Sequence, residues 1–385
     1  MKPLKVLLLH YFPLEQYPPA MNWIDVIGRH SDIDLTVLTT KVDDRDWYRN
    51  DRVNIVRTRF PSVGHGRVRR LLRMLHYPRL GKRLITRLRP DVIWHCEPHS
   101  ALASAWGHRR RRDSRVFIHY HEYRDPGHYH DPGMRWVHWV HRCERRRLYP
   151  VAEWISHTNP VRRAMFAADY PEVSGDNLKV LANYPPASWQ RPTGDQTIYD
   201  GGAEPLRMIY VGALSARDTY LPEVLRWVTS MNGRITLDLY SGNVASDAKD
   251  CLQQNAGPWI CHHAEPVRYP ELPDLLRRYH VGLIMYRGTT KNYVHNETNK
   301  LFEYLVCGLD VLYPGVVKGI DPHRRDDVRP RVLRADFEHL DDGTTDRLCD
   351  AATLPHEPIR VDCESAMREI LAAMLETPDR NATPR

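Results

Sequence analysis

The stretch "NETNKLFEYLVCGLDVLYPG", residues 296–315, carries a helix start, an apolar stripe with one carboxylate, a glycine stop and a β-type run in one short span. Asn296 and Thr298 are of the types that cap helices, because a side-chain oxygen can accept the free N–H groups of a first turn. The spacing predicts a helix from about Asn299, with Leu301, Phe302, Leu305 and Val306 on its buried face and Gly308 at its end. Asp310 to Pro314 then reads as a strand. Glu303 lies one turn inside this helix, between Phe302 and Tyr304. A helix start directs unpaired N–H groups at whatever lies before it, which suits a diphosphate, and Glu303 could then bond the ligand's hydroxyls. An ordinary surface Glu on a core helix fits the same pattern, and the stretch alone leaves both open.

Outward from this segment, short apolar runs alternate with helical patterns. The first set is "KVLLLH" (5–10), "IDLTVLTT" (33–40), "VNIVRT" (53–58), "DVIWHC" (91–96), "RVFIHYH" (115–121), "WISHT" (154–158) and "LKVLANY" (178–184). Several are apolar almost throughout, as strands buried on both faces of a parallel sheet are. Around 185–205 the pattern lapses into Pro, Gly, Asp and Thr, which marks a linker. It resumes with "LRMIYVG" (206–212), "ITLDLYSG" (235–242), "WICHHA" (259–264), "VGLIMY" (281–286) and "DVLYP" (310–314). The expectation is an α/β protein of two Rossmann-like domains facing each other across a cleft, with ligands at the carboxyl ends of the strands. Its divisions fall at 1–187, a linker at 188–205, a second domain at 206–360, and a C-terminal helix and tail at 361–385 whose return onto the first domain is left open.

The chain has 385 residues, 42% hydrophobic and 27% charged, enough for two or three units with large interiors. No run reaches the length of a membrane span, and "KVLLLHYF" is too short for a secretory segment. Seven cysteines at 96, 143, 251, 261, 307, 349 and 363 show no C-x-x-C pair, which argues for a reducing cytoplasm. The net charge of +7 is moderate, but residues 67–89, "RVRRLLRMLHYPRLGKRLITRLR", contain no acid. Leu71, Leu72 and Leu75, then Leu80, Leu84 and Leu88, recur at helical spacing. Two readings fit: a helix packed on its own sheet, or a peripheral contact with the anionic inner face of a membrane. No nucleic-acid motif accompanies the charge, so nucleic acid is not an expected partner.

At these residues the chain resembles the retaining nucleotide-sugar glycosyltransferases of the GT-B fold, particularly the large family-four group. "NKLFEYLVCGLDVL" (299–312) is the most specific block. "VFIHYHEY" (116–123) resembles the family's strand ending in Asp-x-His-Glu, with His119 in the Asp place and His121 and Glu122 intact. "CERRRLYPVAEWISHTN" (143–159), with Glu144 matching a common Glu, "VLANYPP" (180–186), with Asn183, and "MIYVGALS" (208–215) follow in order. The resemblance implies an acceptor-binding first domain, a donor-binding second domain and a nucleotide-diphosphate sugar as donor. The acceptor is a saccharide, a lipid-linked molecule or a small molecule. Glu303 matches the Glu that bonds the donor ribose. The family's second Glu, eight positions earlier, is here His295, with Glu297 out of register. The family's diphosphate Arg is here Ala213, and Arg217 falls about one place from the Lys. Lys300 can supply part of the missing charge.

Breaking a glycosyl–phosphate bond builds charge on the diphosphate, and fixed cations can stabilise it without a metal or cofactor. The resemblance therefore implies His121, Arg217 and Lys300 as catalytic residues. Gly212, Glu297, Asn299, Leu301, Phe302 and Glu303 would bind the donor. Tyr11, Glu97, His99 and Glu122 are the acceptor-side candidates, with Glu97 and His99 in "HCEPHS" (95–100) at a strand end. Residues 119–141 hold six histidines, in pairs His119/His121, His128/His130 and His138/His141, but no common zinc spacing fits and no metal is expected. Glycosyl transfer, sugar-nucleotide epimerisation and nucleotide-sugar binding with weakened turnover remain the three competing functions.

Overall fold

A computed structural model describes residues 2–41, 46–61, 67–190, 199, 204–350 and 353–376. The chain divides into two compact units, unit 1 from Met1–Ala182 with Cys363–Arg385 and unit 2 from Asn183–Asp362. Unit 1 is built on seven strands: β1 (Leu4–His10), β2 (Ile33–Lys41), β3 (Asn54–Pro61), β4 (Val92–Cys96), β5 (Arg115–Tyr120), β6 (Ala152–His157) and β7 (Leu178–Val180). They form one parallel sheet in the order β3-β2-β1-β4-β5-β6-β7. Unit 2 has six: β8 (Leu206–Val211), β9 (Ile235–Tyr240), β10 (Ile260–His263), β11 (Val281–Leu283), β12 (Asp310–Pro314) and β13 (Val332–Ala335), in the order β10-β9-β8-β11-β12-β13. Each apolar run of the sequence is one of these strands; β13, with a polar Arg334 in its four residues, gave no run to read.

Burial explains the composition of each strand. All five residues of β12 and of β4 are buried, whereas β10, at a sheet edge, is half-exposed and reads as "ICHH". Helices cover both faces. In unit 1, Leu7 and Leu9 of β1 and Ile93 of β4 pack with Tyr77, Ile85 and Ala103 from the helices Arg67–Leu88 and Glu97–Arg110. On the other face, Trp23 of the helix Pro18–Gly28 stacks on Trp94 of β4. The helix after β1 and the helix after β4 thus lie on opposite faces, and the adjacent ends of these two strands form the switch point where α/β sheets take ligands.

Several expectations change. The first unit ends at Ala182 rather than 187, and Trp189, expected in a linker, is buried with Ile209 and Leu301 in the core of unit 2. The remainder of that linker, 191–198 and 200–203, lies outside the described residues, as does the tail beyond 376. The C-terminal helical segment is two helices, Cys363–Ala366 and Arg368–Leu375, and belongs to unit 1. In the helix Arg67–Leu88 the leucine stripe divides: Leu84 is core and Leu80 and Leu88 pack beside it, but Leu72 and Leu75 are exposed. The side chain of Leu71 is outside the described residues.

Candidate functional site

The helix Asn299–Val306 begins where expected, with Thr298 at its N-cap position. Thr298 makes no side-chain capping hydrogen bond. The helix approaches the sheet closely because Gly282 of β11 has no side chain: a Cβ there would fall 2.2 Å from the Tyr304 ring. The Tyr304 hydroxyl accepts the Val211 N–H at 3.3 Å, tying the helix to the end of β8.

Gly212 follows β8 with φ +153°, and a Cβ there would lie 2.8 Å from Lys300 Cε and 3.2 Å from Lys300 Nζ. The backbone angle disfavours any side chain here, and one would displace the tip of the lysine. Lys300 Nζ donates to Tyr286 Oη at 3.0 Å, and Tyr210 Oη, beside it, donates to the Ala213 carbonyl at 2.9 Å. The sequence thus places an ammonium group on the glycine turn although the turn itself lacks the family's arginine. Arg217 is exposed, and its backbone N–H is bound by Asp247 Oδ2 at 3.0 Å. Arg287, nearer in sequence to the site, is neutralised by Glu223 at 2.7 Å.

One turn into the helix, Glu303 is buried and accepts the Asn299 amide at 2.7 Å. Burial pushes its carboxyl above the ordinary value, opposed by the Asn299 amide, the Lys300 charge and the Tyr269 hydroxyl. Leu301 and Phe302 are core residues of unit 2, so their contribution is to anchor the helix. Glu297 is also buried, with Oε1 3.4 Å from His323 Nε2. His323 sits edge-on to Phe302, which meets Tyr184 at 4.6 Å. Tyr286, Tyr210, Tyr269 and His323 were missed in the sequence. Tyr210 and Tyr286 close the apolar runs "LRMIY" and "VGLIMY", which was the available signal; His323 ends the short 3-10 helix Lys318–His323 and had none.

In unit 1 the strand ends collect a different set. Tyr11 stacks on His99 at 4.9 Å. Glu97 is buried, with φ +59° in the left-handed region at the tight turn from β4 into its helix. Its Oε1 accepts the Glu122 N–H at 3.1 Å, and burial raises its carboxyl to about 7, the neighbouring Glu122 adding to the shift and Arg124 opposing it. A non-glycine residue held in this region at a strand end marks stored backbone strain of the kind found at functional sites. The Glu122 side chain is exposed, 3.8 Å from the buried Arg162. His121 is buried, its ring stacked on Trp23 and its Nε2 3.1 Å from His10 Nε2. Glu144 is wholly buried between His95 Nε2 at 2.8 Å and His141 Nδ1 at 3.1 Å; burial disfavours its charge, but the two imidazole bonds outweigh it and hold the carboxyl at about 2. Of the six clustered histidines, His130 and His138 meet at 4.6 Å, while His141 belongs to the Glu144 network.

No protein-family model matches the chain, and no curated protein is similar to it in sequence. Solved structures match along nearly its whole length. Sucrose-phosphate synthase from Thermosynechococcus elongatus superposes with a TM-score of 0.63 at 13% identity, over 96% of this chain and 94% of that one. The chain has a GT-B fold. HepE of Anabaena, in complex with UDP and glucose, matches at TM-score 0.61 and 11% identity over 96% and 99% of the two chains. UDP-GlcNAc 2-epimerase from Neisseria meningitidis, bound to UDP-GlcNAc, matches at 0.57 and 10% over 97% and 100%. At such identities the likeness carries the GT-B fold and no activity. Among the described residues, no helix is long and apolar enough to cross a membrane.

Proposed function

We propose that the protein is a glycosyltransferase that takes a sugar from a nucleotide-diphosphate donor held by unit 2. The observation that carries this reading is Lys300, whose ammonium group lies against the Gly212 turn at the start of a helix that also bears the buried Glu303. An anion at this turn meets a fixed positive charge and the dipole of the helix start, and Glu303 is one turn away to accept ribose hydroxyls. Charge on the diphosphate grows as the glycosyl bond breaks, so Lys300 acts more strongly on the transition state than on the bound donor. Transfer with retention, the leaving phosphate taking the acceptor proton, requires no further base.

Glu97 favours a second reading. A buried carboxyl that ionises near neutrality is suited to moving a proton, as an epimerase would require. Both readings are tested by incubating the protein with a panel of nucleotide sugars, with and without acceptors, and following products by mass spectrometry and NMR. Acceptor-dependent release of nucleoside diphosphate with the donor's anomeric configuration kept supports the transferase. Isomerised sugar nucleotide formed without acceptor overturns it in favour of the epimerase.

We also place the acceptor side of the reaction at an anionic membrane surface. The acid-free helix Arg67–Leu88 exposes Leu72 and Leu75, and basic side chains with apolar neighbours bind such lipids. Co-sedimentation with liposomes should rise with anionic lipid and fall with salt; pelleting indifferent to both removes this assignment.

A further inference from the structure

The ends of β1, β4 and β5 bring together three residues that are far apart in the sequence. His10 and Cys96 are register partners on adjacent parallel strands, and Cys96 in turn pairs with His119. Partners in register point to the same face, and His121, one residue past the end of β5, turns its ring to the same side, against His10. His10, Cys96 and His121 thus project to one side of the sheet at its switch point, and their ligating atoms all lie within 4.8 Å of one another. All three side chains are more than nine-tenths buried.

The orientation of the imidazoles is fixed from behind. His10 Nδ1 is 2.7 Å from the Phe12 carbonyl, which can only accept, so Nδ1 carries the proton and Nε2 presents a lone pair. His121 is held by the face of Trp23, with ring centroids 5.0 Å apart and planes 6° from parallel. The two Nε2 atoms are 3.1 Å apart. Two imidazole nitrogens bound to one tetrahedral zinc ion at about 2.0–2.1 Å are separated by about 3.3 Å. The observed spacing is close to that edge, and a backbone carbonyl fixing the ligating tautomer is the usual support of a metal-binding histidine.

We propose that His10 Nε2, His121 Nε2 and Cys96 Sγ form a binding site for a zinc-type divalent cation at the switch point of unit 1. Two imidazoles and one thiolate suit zinc, and leave a fourth position for water or a ligand atom. Binding takes the Cys96 thiol to the thiolate and releases its proton to solvent. The imidazole that the family resemblance sets against a sugar is, in this chain, a ligand. The site stands apart from the donor reading, which rests on unit 2 alone. Spacing rules missed it because its ligands come from two strands and the turn after a third, and only His121 belongs to the histidine cluster.

The test is metal content and ligation in the full-length protein, refolded with zinc or with cobalt(II) and dialysed against buffer. About one equivalent should remain, and the cobalt form should show thiolate-to-cobalt absorption in the near ultraviolet. Cys96→Ser should remove that band and lower retained metal at least about tenfold, while circular dichroism stays that of the parent. His10→Gln should lower retention likewise. Cys261→Ser, in a half-exposed Asp238, Cys261 and His263 group, should leave the band intact. Retention below a tenth of an equivalent by the folded parent overturns the site and leaves an N–H···N bond between the two imidazoles. A band lost with Cys261 and kept without Cys96 also overturns it, locating the metal on unit 2.

Discussion

Both units place their polar groups at the carboxyl ends of a parallel sheet, yet those ends differ in electrostatic character. Unit 2 presents a cation: Lys300 on a glycine turn, surrounded by tyrosine hydroxyls, beside a helix start with no side-chain cap. Unit 1 presents buried imidazoles and a carboxyl raised to about 7, with Glu144 hydrogen-bonded to two histidines. The sheet topology decides where a ligand sits, and the residues ending each strand decide which ligand it is. On the readings proposed above, unit 2 takes an anion and unit 1 a proton or a cation.

The contrast breaks first at Lys300. Lys300→Ala should lower kcat by about 10²–10³, the scale of losing one preorganised donor to a developing anion, with a smaller change in donor affinity. Single-turnover kinetics separate the two, and a loss confined to binding would end its catalytic assignment. Glu97 tests the other side. Its unfolded carboxyl ionises near 4.5 and its folded one near 7, so the stability of unit 1 should fall as pH rises between these values and level off above. The descent is on the order of 3 kcal/mol, and Glu97→Gln should abolish it in urea unfolding followed by tryptophan fluorescence. A parent whose stability is flat across that window would place the carboxyl in water.

Glu303→Gln should weaken nucleotide binding by about 1–3 kcal/mol, since a charged acceptor for a diol becomes a neutral one. Calorimetry on the folded variant checks it, and unchanged affinity would remove the ribose role. The smallest effect is expected at Arg217. Exposed and screened by water, it should contribute less than about 1 kcal/mol to donor binding or turnover, so Arg217→Ala ought to stay within a few-fold of the parent. A loss matching that of Lys300→Ala would instead make the two cations equal partners at the diphosphate.

Local patterning made most of the architecture legible. Runs such as "KVLLLH" and "DVLYP" are apolar because both faces are covered, and that signal survives in a single sequence. The helix at 299 was legible from its stripe and its Gly308 stop, and Glu303 from its place in that stripe. Lys300 was legible as a charge, but its seat on Gly212 was not, because the two are joined only by folding. The tyrosines around Lys300 and the His10, Cys96 and His121 group were hidden for the same reason: register between strands, rather than spacing along one, brings them together. The division of the leucine stripe at 72–88 depends on how far the sheet extends beneath the helix, which no helical period records.

Unit 1 is closed by a segment that follows the whole of unit 2. Arg115 at the start of β5 donates to the carbonyls of Ala373, Met374 and Glu376, Lys179 pairs with Glu369 at 2.8 Å, and Arg29 with Glu364 at 3.0 Å. On the ribosome, residues 1–182 therefore emerge without their final clasp, and must wait while the intervening 183–362 is made and folds. A premature stop after 362 would accordingly spare unit 2 and leave unit 1, though begun first, without its two closing helices.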